Sequence, residues 1–260
     1  MTKKSILLGI CLLFMGMIFK PLPTYAQAPL KIGLLKNQAP YSYSQVKQAG
    51  FEVELAQKLG KKLQRPVKIK LIANQNKLLT DLKQHKIDVA LGVNSTVKDR
   101  KLKLSSPYLW QKNTLFIQNN GPFKSYDKLI GHYLGVLSTN QQISQFKELG
   151  FKVKTYSTVD KLQQALAARK ISAGVLSDYQ YTTYVQQHLE LQDQPNLTPE
   201  AQKQTWKTLN APLITAQPRC LATTNSKLTK QLNQALTTLS ENQSLSRLSQ
   251  RYFQQDLTKQ

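Results

Sequence analysis

The feature that most restricts the fold is a pattern that occurs twice. Leu78, Leu82, Lys86 and Ile87 form a helix running into a strand. Leu162, Leu166, Lys170 and Ile171 repeat it at a constant offset of 84 residues. Each copy sits in a longer alternation. Before and around the first, Leu30, Ile32 and Leu34 alternate as a strand, and Phe51, Leu55, Leu59 and Leu63 recur every four residues as one helix face. Pro66 ends that helix region, Val67, Ile69 and Leu71 alternate again, and Ile87 to Val93 is an apolar strand. Around the second, Tyr133 to Leu137 reads as a strand and Gln141 to Leu149 as a helix closed by Gly150. Val153 to Tyr156 is then a strand, Val159 to Leu166 a helix and Ile171 to Leu176 a strand. A βαβαβ series requires a parallel sheet with helices over its faces, so two such series predict two α/β lobes. Leu228 to Leu239 and Leu245 to Tyr252 carry helical periodicity with no further sheet to serve, and are expected to return to the first lobe. No low-complexity linker intervenes, so ordered strands are expected to join the lobes.

The extreme N-terminus reads as an address. Lys3 and Lys4 precede an apolar stretch, Ser5 to Phe19, that is short of the ~20 residues of a membrane span. Pro21 and Pro23 follow, and Thr24-Tyr25-Ala26 offers small residues for cleavage. Residues 1–26 are therefore predicted to be a secretory signal peptide cut after Ala26. Cys11 lies inside the apolar stretch, where no lipid-carrying cysteine would sit. Cys220 is then the only cysteine of the mature chain, which excludes an internal disulfide and predicts a buried thiol acting as a small apolar side chain.

Charge and missing motifs narrow the function. The net charge is +22, but the lysines are scattered, without the clustered face and stacking aromatics of a nucleic-acid binder. There is no P-loop, HExxH, GxSxG or dinucleotide fingerprint. His85, His132 and His188 stand apart, with no cysteine partners, so neither a metal nor a cofactor is expected. Glu52 and Glu54 flank a helix start, where an acid is favoured, and Asp88 occupies a helix–strand seam. No catalytic residues stand out.

Several segments, in order, resemble the bacterial extracellular solute-binding proteins of family 3, the polar amino-acid-binding components of ABC importers. They are Ala39-Pro40-Tyr41-Ser42-Tyr43, Gly50-Phe51-Glu52-Val53-Glu54-Leu55-Ala56, Lys86-Ile87-Asp88-Val89, Ser105-Ser106-Pro107-Tyr108, Leu129-Ile130-Gly131 with Leu134-Gly135-Val136, and the tail from Leu228 to Phe253. The likeness covers nearly all of Leu30 to Phe253. It implies a two-lobed, type II periplasmic binding-protein fold with two crossover strands. Lobe one would be residues 29–117 plus 218–260, and lobe two residues 118–217. It implies a monomeric periplasmic protein that closes on a small polar ligand, an amino acid by expectation, for a membrane permease. A cyclohexadienyl dehydratase-like enzyme or a stand-alone sensor are the alternatives on the same fold.

The resemblance also nominates a binding site of Tyr41, Ser95, Arg100, Thr139, Asn140 and Asp178. Arg100, twelve residues after Asp88, would fork onto the ligand carboxylate. Counting back from Ser105-Ser106-Pro107-Tyr108 puts Lys98 in that place instead. Thr139 and Asn140 would offer backbone N–H groups at a helix start, Ser95 a hydroxyl and Tyr41 its ring. Asp178 would accept from the ligand ammonium, although direct counting places Ser177 in its slot. The family's Thr-Pro before the arginine and its Gly-Thr turn are missing here, and Asn74-Gln75-Asn76-Lys77 has no aromatic for the ligand side chain.

Overall fold

The structure, a computed structural model, describes residues 27–44, 47–95, 97–194 and 196–259. The predicted signal peptide lies outside the described residues. The chain begins with β1 (Leu30–Leu35), a hairpin of β2 (Tyr43–Ser44) and β3 (Gln48–Ala49), and α1 (Phe51–Lys62). β4 (Val67–Ile72), α2 (Gln75–Lys83), β5 (Val89–Asn94), β6 (Lys103–Leu104) and β7 (Leu109–Gln111) complete the first pass. The second unit contains β8 (Asn113–Gln118), β9 (Tyr133–Leu137), α3 (Ile143–Glu148), β10 (Lys152–Tyr156) and α4 (Val159–Ala167). It continues with β11 (Ala173–Ser177), α5 (Asp178–Gln187), α6 (Pro199–Gln202) and β12 (Trp206–Leu209). β13 (Gln217–Thr223), α7 (Ser226–Glu241) and α8 (Ser244–Phe253) close the chain.

The two sheets have one design. The first runs β4-β1-β5-β13-β6, with β7 also on β13; the second runs β10-β9-β11-β8-β12. In each, the opening strand of the βαβαβ series is flanked in parallel by the two that follow it. In each, the third strand then meets a strand shared with the crossover, β13 or β8, antiparallel. The sequence repeat has a steric counterpart. Gly33 on β1 lies beneath Leu78 and Ile87, whose terminal carbons would come within 2.5–2.8 Å of an added Cβ. Gly135 on β9 lies beneath Leu162 and Ile171 in the same way, 2.4 Å from the Ile171 terminal carbon. Each glycine lets the following helix and strand settle onto the sheet.

The doubled α/β fold is as predicted. Leu228, Leu232, Leu236, Leu239, Leu245, Leu248 and Phe253 share one core with Leu30, Ile32, Leu34, Phe51, Leu55 and Leu59. Burial of such side chains stabilises by about 1.5–3 kcal/mol each, so the tail is an integral part of the first lobe. The chain leaves the first sheet at Gln111 and enters the second at Asn113. Residues 113–117, expected in lobe one, therefore belong to the second sheet, because β8 pairs β11 over residues 113–116 and β12 over residues 115–118. The return runs between Leu209 and Gln217. Cys220 on β13 is buried, and burial pushes its thiol up to about 11.

The helix expected from Gln141 starts at Ile143 instead. The Asn140 N–H bonds to the Leu137 carbonyl and the Asn140 side chain takes the Gln142 N–H, so residues 137–142 form turns.

Candidate functional site

The strand ends of the two sheets face each other, the place where α/β proteins collect ligands. The loop after β1 is pinned first. Phe51 and Glu52, at the start of α1, donate their N–H groups to the carbonyls of Pro40 and Tyr41 at 2.9 and 2.8 Å. Gly50 precedes them at φ +123°, and a Cβ there would come within 2.3 Å of the Tyr41 carbonyl oxygen. Only glycine fits such an approach, and the result fixes where Tyr41 points.

Tyr41 lies over Arg219 of β13, with its ring centre 4.0 Å from the guanidinium. Arg219 is 5% exposed and Glu52 1% exposed. The Glu52 Oε1 accepts from Arg219 Nη2 at 2.6 Å and Nε at 3.0 Å, and from the Tyr108 hydroxyl at 2.5 Å. Tyr108 in turn accepts the Gly92 N–H at 2.8 Å, and Gln111 accepts from Arg219 Nη1 at 3.1 Å. The cluster ties α1, β5, β7 and β13 together beneath the cleft. Burial alone would lower the Arg219 pKa, but the Glu52 carboxylate, with Tyr108 and Tyr41, holds it above its ordinary value. Burial pushes Tyr41 up to about 12, against the opposing charge of Arg219 and with help from Glu52 and Asp178. Tyr108 is raised as well, by burial and then by Glu52.

Above this floor lies a cavity of about 420 Å³. The first unit lines it with Leu35, Gln38, Ala73, Asn74, Gln75, Asn76, Leu79, Asn94 and Val97; the second with Ser138, Thr139, Asn140 and Gln141. A narrower recess continues past Gln38, Tyr41, Gln111, Ser177 and Gln180 to Arg219. The units also touch directly, since Gln141 Nε2 donates to the Gly92 carbonyl at 2.9 Å. Among the described residues, the backbone N–H groups of Thr139 and Gln141 have no protein acceptor.

The predicted site residues divide. Tyr41, Thr139 and Asn140 line the cleft, although the Asn140 N–H is already bonded and is not available as expected. Asp178 is half-buried at the start of α5, beside Ser177 of the recess but outside the lining of both cavity and recess, and its Oδ1 accepts from the Thr114 hydroxyl at 2.7 Å. Ser177 is the α5 cap, in a reciprocal arrangement with Gln180. Ser95, Lys98 and Arg100 are exposed and line neither the cavity nor the recess. The residues that sequence reasoning passed over are Gln38, Asn94, Gln141 and Arg219. Arg219 did leave a signal, a cation directly before the apolar run Cys220-Leu221-Ala222, which implies a buried partner. Glu52, read as favouring a helix start, is that partner. No group of three His, Cys, Asp or Glu side chains among the described residues is placed to hold a metal, and none of their helices is long and apolar enough to cross a membrane.

A sequence profile of the bacterial extracellular solute-binding proteins, family 3, matches residues 30–255. The chain belongs to that family. The match spans both units and the returning tail. Among relatives, the arginine-binding extracellular protein ArtP of Bacillus subtilis is 24% identical over 231 residues, covering 86% of each chain. The L-cystine-binding protein TcyJ of Escherichia coli K12 is 28% identical over 238 residues, covering 88% of this chain and 84% of that protein. Among solved structures, the GluR0 ligand-binding core from Nostoc punctiforme, in complex with L-glutamate, superposes with a TM-score of 0.68 at 18% identity. That match covers 86% of this chain and 99% of the other. At that identity the likeness establishes the two-lobed fold.

Proposed function

We propose that the mature protein captures an amino acid between its lobes, outside the cytoplasmic membrane, and presents the closed form to an ABC importer. The observation that carries this reading is the cavity of about 420 Å³ walled by both units, of a size for a small polar solute. The α-ammonium is assigned to Asp178, whose carboxylate has one oxygen beyond that engaged by Thr114. The α-carboxylate is assigned to the unpartnered N–H groups of Thr139 and Gln141. Arg100 and Lys98 are the cations nearest in sequence to Val97 on the cavity wall, and complement that charge from the rim. Tyr41, already stacked on Arg219, offers a ring face, and Ser95 follows Asn94 at the end of β5.

Contact with both lobes makes closure ligand-dependent, because a ligand shifts an equilibrium only by its differential affinity for the two states. Catalysis is disfavoured by the same geometry: Glu52 is neutralised by Arg219, and Asp178 is hydrogen-bonded to Thr114. Export is assigned to residues 1–26 and the secreted species to a monomer.

Thermal melting of the protein from residue 27 onward against the common amino acids tests the reading. A ligand at 100 times its Kd adds about 2.7 kcal/mol to stability. If no amino acid shifts the transition while prephenate or arogenate is consumed, the protein is an enzyme.

A further inference from the structure

We infer that the amino acid taken by the cleft has an uncharged, amide-like side chain, and that basic and acidic amino acids are discriminated against. This rests on the amino-acid reading above and concerns which amino acid is bound. The wall where α2 and β5 meet the second unit presents Asn74, Gln75, Asn76 and Asn94 on one side and Asn140 and Gln141 on the other. With Gln38, seven carboxamides line one space, and no charged side chain lines it.

The nearby charges are already matched. Glu52 and Arg219 neutralise each other through Glu52 Oε1, and Arg219 also donates to Gln111, so the pair offers no net counter-charge, although Glu52 Oε2 accepts no hydrogen bond among the described residues. Asp178 is assigned to the α-ammonium, common to every amino acid. A guanidinium or ammonium entering this wall would lose hydration and meet only dipoles, and so would a carboxylate. An unpaired buried ion is far more costly than a buried amide with partners. A ligand carboxamide, by contrast, brings two donors and an acceptor to a wall of groups that each donate and accept.

One residue of the wall, Gln75, carries a buried acceptor without a partner among the described residues. Gln75 Oε1 is buried and accepts from no group among the described residues. A buried acceptor left unpaired is destabilising, and an N–H of a ligand amide would satisfy it. Gln75 begins α2, which is oriented by the Asn74 cap accepting from the Lys77 N–H at 2.9 Å. The acceptor therefore sits on an ordered element of the wall.

Calorimetric titration of the protein from residue 27 onward, with L-glutamine, L-asparagine, L-arginine, L-lysine and L-glutamate, tests the inference in wild type and in Gln75→Glu. That substitution conserves shape and puts an acid in the first turn of a helix, where it is tolerated. Wild type is expected to bind an amide amino acid at least about tenfold more tightly than any of the charged three. Gln75→Glu is expected to move the arginine-to-glutamine affinity ratio at least about tenfold toward arginine. A charged amino acid bound as tightly as the amide ones by wild type, or a ratio unmoved by Gln75→Glu, would overturn the inference and leave the amino-acid reading standing. Binding of none of these five would overturn this inference, and the amino-acid reading itself falls only if the thermal-melting panel of all the common amino acids also shows no ligand.

Discussion

Removing the guanidinium of Arg219 tests whether a charge pair holds the floor of the cleft. Arg219→Met keeps much of the side-chain length and takes the charge away. Glu52 would then be a buried carboxylate, at 1% exposure, with Tyr108 as its remaining donor. At 2.6 Å two unit charges attract by about 6 kcal/mol for an effective dielectric constant of about 20, and desolvation of both ions offsets much of it. Breaking one side of such a pair costs about 3–5 kcal/mol. Glu52→Gln combined with Arg219→Met removes both charges while leaving Tyr108 an acceptor. The double variant is expected to recover to within about 1–2 kcal/mol of wild type, since neutral replacements of buried pairs are often close to isoenergetic. Urea unfolding of the two single variants, the double variant and wild type closes the cycle. If the two single losses simply add, the pair does not hold the floor and the argument from its burial fails.

Other expectations follow from single contacts. Gly92 has φ +72°, and a Cβ there would come within 2.4 Å of Arg219 Nη2, so Gly92→Ala is expected to cost more than the roughly 1–3 kcal/mol of backbone strain alone, read by urea unfolding. Gln141→Ala removes the bond to the Gly92 carbonyl and about 0.5–1.5 kcal/mol from the closed state, so small-angle scattering of the ligand-free protein should report a larger radius of gyration. Asp178→Asn is expected to weaken amino-acid binding about tenfold or more, the loss of a charged hydrogen bond, whereas exposed Arg100→Ala and Lys98→Ala are expected to change it several-fold less; calorimetry giving the reverse order would make Arg100 the principal anchor. The carboxyl of Asp81 is held below its ordinary range by hydrogen bonding from Lys70, against burial and with further help from Lys77. Its stabilising contribution is therefore complete above the ordinary value of about 4 and lost as pH falls through the lower, folded-state value. Asp81→Asn should flatten the acid side of a stability-against-pH curve.

The fold was legible because periodicity and repetition are properties of the chain itself. The four-residue spacing from Phe51 to Leu63 became α1, and the 84-residue echo became two helices lying over two glycines, Gly33 and Gly135. The sheet change was less legible. Nothing in Leu115, Phe116 and Ile117 says which of two sheets an apolar strand will join, and pairing with β11 and β12 decides it. The site was legible only where local backbone made it. Pro40-Tyr41 and Gly50-Phe51-Glu52 lie close in the chain and meet through two backbone hydrogen bonds. Arg219 and Glu52 are 167 residues apart and meet only after β13 has returned to the first sheet. That distance explains why motif order pointed to Arg100, a cation next to a recognisable seam, while the buried guanidinium of the cleft comes from the far end of the fold. It also explains why Arg219 is a poor candidate for the ligand's own carboxylate. A cation placed in the hinge region between Gln111 and Tyr41 and neutralised by Glu52 fixes how the two crossing strands sit against the first lobe. In the reading proposed above, the ligand side chain falls to the uncharged wall.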